Sequence, residues 1–256
     1  MKNKYIIIAL LLSLCSCKKE WLDVKRDKSL VVPSTLQDLQ LMFNYEDLTA
    51  FNHIGLAQYF SDDFYMPNEV LSSVSQIERD AYVWKDEMFQ YRTAMAEWNG
   101  SYAQIFTANL ILETLETIER TSTNKNEWDN VKGAALSLRS RAFFNLAQCF
   151  APVYSSANAT SLAIPLKVKS DILAPVKRAT VKETYNQIVN DLKTSVELLP
   201  NVPKYKVDAS KASSYGQLAR IYLVMGDYDK ALINANLCLG ISNELIDYNT
   251  VDLSNP

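Results

Sequence analysis

Apolar residues recur at steps of three and four along most of this chain, the spacing that lines one face of an α-helix. In "PSTLQDLQLMFN", Leu36, Leu39 and Phe43 fall on one side, and Ser34 stands three residues before Gln37 in a capping-box arrangement. From Trp98 a stripe runs through Tyr102, Ile105, Asn109 and Leu112, widened by Phe106. A longer helix is predicted over roughly residues 127–150, with Ala135, Leu138, Ala142, Leu146 and Cys149 on one face and Pro152 just past its end. "TVKETYNQIVNDLKTSVELLP" predicts another. Thr180 and Glu183 make a second capping box, Tyr185, Ile188, Val189, Leu192, Val196 and Leu199 form the stripe, and Pro200 stops it. Between these two helices, Pro152, Pro165, Pro175 and "SSANATS" describe a long excursion away from the core. Strand alternation of useful length is absent, which leaves only short pairings within loops. The pattern predicts an all-α fold.

The last helical stretch, "ASKASSYGQLARIYLVMGDYDKALINANLCLG" at residues 209–240, resembles one tetratricopeptide repeat. Leu218, Ala219 and Tyr222 occupy the first helix, Gly226-Asp227-Tyr228 the turn, and Ala231 the second helix. Small residues at Ala219 and Ala231 let two helices approach closely, and Gly226 suits the left-handed conformation that ends a helix. Ala235 stands where a large aromatic is usual and Cys238 where alanine is usual, so the copy is divergent.

The N-terminus follows a different pattern. After Lys2 and Lys4, Ile6 to Leu14 form an uncharged apolar run, much shorter than the ~20 residues a membrane-crossing helix needs. Its dimensions are those of a signal-peptide core. Leu14-Cys15-Ser16-Cys17 resembles the lipobox of bacterial lipoproteins, which implies cleavage after residue 16 and acylation of Cys17. An ordinary secretory signal with two incidental cysteines is the plainer alternative. Two or three acyl chains, at about 0.8 kcal/mol per buried methylene, suffice for stable anchoring. Residues 17–33 would then serve as tether and spacer, and residues 34–256 as the folded domain.

Composition narrows the chemistry. The formal charge of −3 becomes −5 once Lys2 and Lys4 are removed, and the basic clusters that nucleic-acid binding requires are missing. Cys149 and Cys238 remain, as buried thiols or one disulfide, with buried thiols expected. A single histidine, His53, precludes a histidine metal cluster and would have to serve any Ser-His-Asp triad; a satisfied residue near a helix end is its expected role. The six glycines form no phosphate-cradling loop, and neither a cofactor nor a metal is expected. Asp62-Asp63 could act as acid and base of a hydrolase, though adjacent acids on loops are usually solvated.

Taken together, the segments resemble the SusD/RagB-like outer-membrane lipoproteins of Bacteroidetes. The likeness runs through "CKKEWLDVKRDKSLVVPSTLQDLQLMFN", then Trp98, Tyr102, Ile105, Asn109 and Leu112 of "WNGSYAQIFTANLIL". It continues through Arg141, Ala142, Leu146 and Val153, with Ala151 where glycine is usual, and ends in the repeat. The resemblance implies tetratricopeptide-like helix pairs with long irregular loops and no catalysis. It implies a lid on a SusC-like, TonB-dependent transporter in the outer membrane, lipid-anchored at the cell exterior, that captures oligosaccharides or other nutrients. Members of that family are longer, and this chain stops in "LIDYNTVDLSNP" just after the repeat. A truncated product or fragment is therefore expected, and with it an alternative role: a helical scaffold that engages the transporter and has lost ligand binding. An uncovered repeat end would leave residues 209–256 the least protected against hydrogen exchange.

Sugar capture needs aromatic faces for the C–H side of the ring and polar groups for its hydroxyls. Aromatics gather at Phe64, Tyr65, Tyr82, Trp84, Phe89, Tyr91 and Trp98. Trp84 and Tyr82 are the first ligand candidates and Tyr65 the next, with Asp62, Asp63 and Asn68 as hydroxyl partners. Trp98 begins a helical stripe and is expected in the core. Asn109 and Arg141, on or beside apolar stripes, are expected to satisfy buried backbone or carboxylate groups.

Overall fold

The computed structural model describes residues 32–44, 55–86, 95–245 and 247–250. Signal peptide and Cys17, with most of the tether, lie outside the described residues, as do His53, Phe89 and Tyr91. Within the described part the chain is helical: α1 (Leu36–Leu41), α2 (Gly55–Phe60), α3 (Asn68–Ser73), α4 (Gln76–Tyr82), α5 (Ala96–Leu115), α6 (Lys125–Phe150), α7 (Val181–Leu198), α8 (Lys211–Val224) and α9 (Tyr228–Ile241). Two short strands, β1 (Leu162–Pro165) and β2 (Arg178–Thr180), fall between α6 and α7.

The long helix α6 organises the rest. From Val131 to Ala147 almost every residue is buried, small ones included, so the helix is covered on more than one face. α5 and α7 pack along it, α8 packs against α7, and α9 against α8. One core lies among α6, α7, α8 and β1, built on Phe143, Leu146, Ile164, Tyr185, Ile188, Leu192 and Ile221. A second joins α1, α5 and α6 through Leu36, Leu39, Ile111, Leu115, Val131 and Ala135. The α7 stripe read from the sequence is buried at every expected position, Tyr185 to Leu199. Trp98 packs half-buried on the first core, in ring contact with Tyr102 and Phe150.

Close contact among α6, α7 and α8 depends on small residues. Ser195 Oγ donates to the Gly133 carbonyl at 2.9 Å and lies 3.0 Å from Ser214 Oγ. A Cβ at Gly133 would come within 2.8 Å of Leu199 Cγ, so only glycine fits there without displacing the end of α7. At the α8–α9 turn Gly226 has φ +75°, the left-handed conformation its place in the repeat predicts. Asp227 then caps α9 by accepting from the Lys230 N–H. Ala231 is buried, and Gly216 faces Cys238, where a Cβ would stand at an ordinary contact distance of 3.6 Å from Sγ. Cys149 and Cys238 are free, half-buried thiols, and burial pushes the Cys149 thiol up to about 12.

The structure differs from the sequence expectation at four places. α1 is capped by Thr35 rather than Ser34: Thr35 Oγ1 accepts from Asp38 N, and Asp38 accepts from Thr35 N. The charged Asp38 carboxylate holds the Ser34 and Thr35 N–H groups better than the Gln37 amide would. Phe106 is 40% exposed, because α5 is gripped by α1 and α6 and its buried side continues through Ala108, Ile111 and Leu115 instead. The excursion after α6 returns to the core. β1 and β2 pair antiparallel, Leu162 opposite Thr180 and Pro165 opposite Arg178, which buries Ala163 and Ile164 completely. The last concerns Arg141, whose surroundings belong with the site below.

Candidate functional site

Residues 55–86 carry most of the expected ligand positions. Ser75 caps α4, and Glu78 completes the box by accepting from Ser75 N at 2.7 Å. Glu78 also accepts from the Tyr59 hydroxyl at 3.0 Å. That bond is the chief cause raising the Tyr59 phenol above its ordinary value, while Ser75 and Tyr59 together hold Glu78 low. Phe64 packs between Tyr59 and Tyr82, with ring centroids 6.4 Å and 5.8 Å away. Tyr82 closes the arrangement: its hydroxyl accepts from Met66 N at 3.0 Å. Tyr59, Phe64 and Tyr82 therefore hold the α2–α3 link down on α4, and Tyr82 spends its hydroxyl on the backbone.

Beside this tie the rings of Tyr65 and Trp84 face solvent most fully. Tyr65, next to Met66, is 79% exposed, and Trp84, two residues beyond Tyr82, is 65% exposed. Trp84 has φ +52°, the one positive value outside glycine among the described residues. A bulky residue there costs of order 1–3 kcal/mol and persists only where its neighbours hold it. They do so through Trp84 N to the Ala81 carbonyl, Lys85 N to the Asp80 carbonyl, and the Lys85–Asp80 ion pair at 3.4 Å. Asp62, Asp63 and Asn68 are exposed too. Asp63 is engaged by the Ser61 hydroxyl, and Asn68 opens α3 after Pro67. Among the described residues no hydrogen bond joins these three to Tyr82 or Trp84.

A second arrangement centres on two arginines of α6. Arg139 forms a two-pronged ion pair with Asp191 of α7, both bonds 2.8 Å, and donates to Asn109 Oδ1 at 2.9 Å. Asn109 Nδ2 in turn donates to the carbonyls of Lys167 and Lys169. Asn109 thus satisfies buried backbone, as expected. The corresponding expectation for Arg141 fails, because Arg139 takes that role. Arg141 makes no hydrogen bond or ion pair among the described residues, and its Nε is buried without a partner. Desolvation draws the guanidinium below its ordinary pKa. It lines a cavity of about 590 Å³ whose walls come from α1, α6, α8 and the link before α8, Phe43, Asn130, Lys206 and Gln217 among them. The sequence marks two arginines in a helix with a buried face; only packing says which one is matched.

Comparison with known proteins places the molecule. The SusD-like family described as "starch-binding associating with outer membrane" matches residues 20–223, most of the chain. This chain belongs to the SusD-like family. SusD-like protein P2 of Formosa agariphila is 30% identical over 149 residues, 58% of this chain and 27% of that protein. A SusD superfamily protein from Bacteroides vulgatus superposes with a TM-score of 0.68 at 23% identity, over 84% of this chain and 50% of the other. One from Bacteroides thetaiotaomicron gives 0.66 at 23%, over 84% and 49%. A laminarin binding SusD-like protein gives 0.52 at 20%, over 77% and 42%. These likenesses show the fold, and the chain spans about a quarter of the curated relative and half or less of these solved ones. The SusD-like match covers α1 through nearly all of α8, so the Trp84 turn, the Arg139 network and the Arg141 cavity all fall within it.

Proposed function

We propose that this SusD-like chain captures glycans at the outer-membrane surface, tethered by lipid on Cys17, and passes them to a SusC-like TonB-dependent transporter without chemical change. The observation that carries the reading is Trp84, a large ring held out in solvent on a strained, well-supported turn. Strain retained at an exposed aromatic is poor economy for folding alone and favours a contact made with something else. Tyr65 supplies a second exposed ring beside the same tie, and Asp62, Asp63 and Asn68 offer edge groups for hydroxyls. The family description and the laminarin binding relative of the same fold support glycan as the ligand class.

Titration with a broad glycan panel should quench tryptophan fluorescence, and Trp84→Ala should weaken binding roughly tenfold through loss of the ring face. A flat response across the panel would turn the reading down. A second reading has its own support: Leu232, Ile233, Leu237 and Leu239 of α9 are 44–63% exposed, an apolar side suited to a protein contact. On that reading the chain is a scaffold for the transporter alone, and it would co-purify with a large β-barrel while binding no sugar.

A further inference from the structure

We propose that the cavity beside Arg141 is a second glycan subsite, one selective for acidic sugars whose carboxylate pairs with the Arg141 guanidinium. This rests on the glycan reading above and extends it to a site that neither the aromatic cluster nor Trp84 touches. Three observations carry it. First, Arg141 is unmatched: its Nε is buried with no hydrogen-bond partner, while Arg139 two residues earlier is fully engaged. A guanidinium whose Nε is buried without an acceptor is costly, and a planar carboxylate is the group its fork fits. Second, the cavity, at about 590 Å³, is within the range of small-ligand sites.

Third, the lining suits a sugar ring better than a lone acid. Gln40, Asn130, Ser137, Ser213 and Gln217 present neutral amides and hydroxyls, and Phe43 supplies an aromatic wall. Some of that polarity is already arranged, with Asn130 Nδ2 donating to Gln40 Oε1 at 3.3 Å and Gln217 Nε2 to Ser137 Oγ at 3.2 Å. Of the charged groups at the cavity, Lys206 adds to Arg141 and Asp208 opposes them. The Asp208 carboxylate accepts from Tyr205 N at 3.2 Å, a bond within its own link, which leaves Arg141 to the ligand.

Calorimetric titration of the full chain in detergent, with trigalacturonate, a sulfated trisaccharide and a neutral trisaccharide of like size, tests this. Trigalacturonate should bind roughly ten- to a hundredfold more tightly than the neutral sugar, the range of one charge-assisted pair. Arg141→Gln should abolish the preference for trigalacturonate over the neutral sugar. Lys206→Glu, on an exposed link and so independent of folding, should weaken trigalacturonate about tenfold by repulsion. Preference for the sulfated sugar over trigalacturonate would overturn the assignment to a carboxylate. Equal affinity for acidic and neutral sugars, or a preference that survives both substitutions, would overturn the subsite while the glycan reading stands. Failure of all three sugars to bind would overturn the subsite, and the glycan reading would then stand or fall on the broad panel.

Discussion

Arg139 and Arg141 stand two positions apart on α6, so about 200° of helical rotation separates their side chains. One meets Asp191 and Asn109, the other a cavity, and no property of the arginines themselves distinguishes them. The Arg139–Asp191 pair is almost wholly enclosed, with Arg139 8% and Asp191 4% exposed, and Gln187 donates to the same carboxylate at 2.9 Å. Removing one partner strands the other. Arg139→Ala is expected to cost about 3–5 kcal/mol of stability, whereas Arg139→Met combined with Asp191→Leu should recover much of that. Urea denaturation of the two variants measures the difference. Trp84 teaches a related lesson at the surface. Its aromatic character was legible in the sequence and made it a ligand candidate, but its positive φ and exposure come from the turn that ends α4.

At the scale of the element, helix starts are secured by acids three residues in. Asp38, Glu78 and Glu183 each receive hydrogen bonds at the helix start: Asp38 first from the Ser34 N–H just before the Thr35 cap, Glu78 from Ser75, and Glu183 from the Thr180 N–H. All three carboxyls are thereby held below their ordinary values. The sign follows directly. A carboxylate bound more tightly in the folded state gives stability that is complete above its unfolded pKa, about 4.3 for glutamate, and lost as pH falls through the lower folded value. Asp129 adds to this, its carboxylate bonded to Arg120 at 2.7 and 2.8 Å. The melting temperature should thus be level from pH 7 to about 5 and fall steeply below 4. In Glu183→Gln that fall should be shallower; an unchanged acid limb would show the caps contribute nothing. The sequence pointed to the Thr180 box because an unbroken stripe followed it. It misplaced the first box because Ser34 and Thr35 are both competent caps, and the choice depends on which acceptor reaches back.

At the scale of the molecule, stability should decline along the stack. α6 and α7 are buried among neighbours, α8 keeps Ser214, Leu218, Ile221 and Tyr222 inward, and α9 buries only Ala231 among its described residues. Hydrogen exchange followed by mass spectrometry should find α6 and α7 slowest, α8 intermediate and α9 fastest. This sharpens the expectation that residues 209–256 are the least protected part, since α8 is tied to α7 through Ser195 and Ser214. Protection of α9 equal to that of α6 would mean that its exposed leucines are covered in solution.

The sequence by itself determined the class of fold, the α7 stripe, the Thr180 cap and the glycine turn of the repeat, because each is written in residues a few positions apart. Helical periodicity and capping are local physics, and neighbours in the chain are neighbours in the helix. Tertiary structure alone decided which arginine is paired, that Ala163 and Ile164 return to the core, and that Tyr82 holds a backbone amide while Trp84 faces solvent. Those outcomes depend on what approaches from elsewhere in the chain, such as the 52 residues separating Arg139 from Asp191.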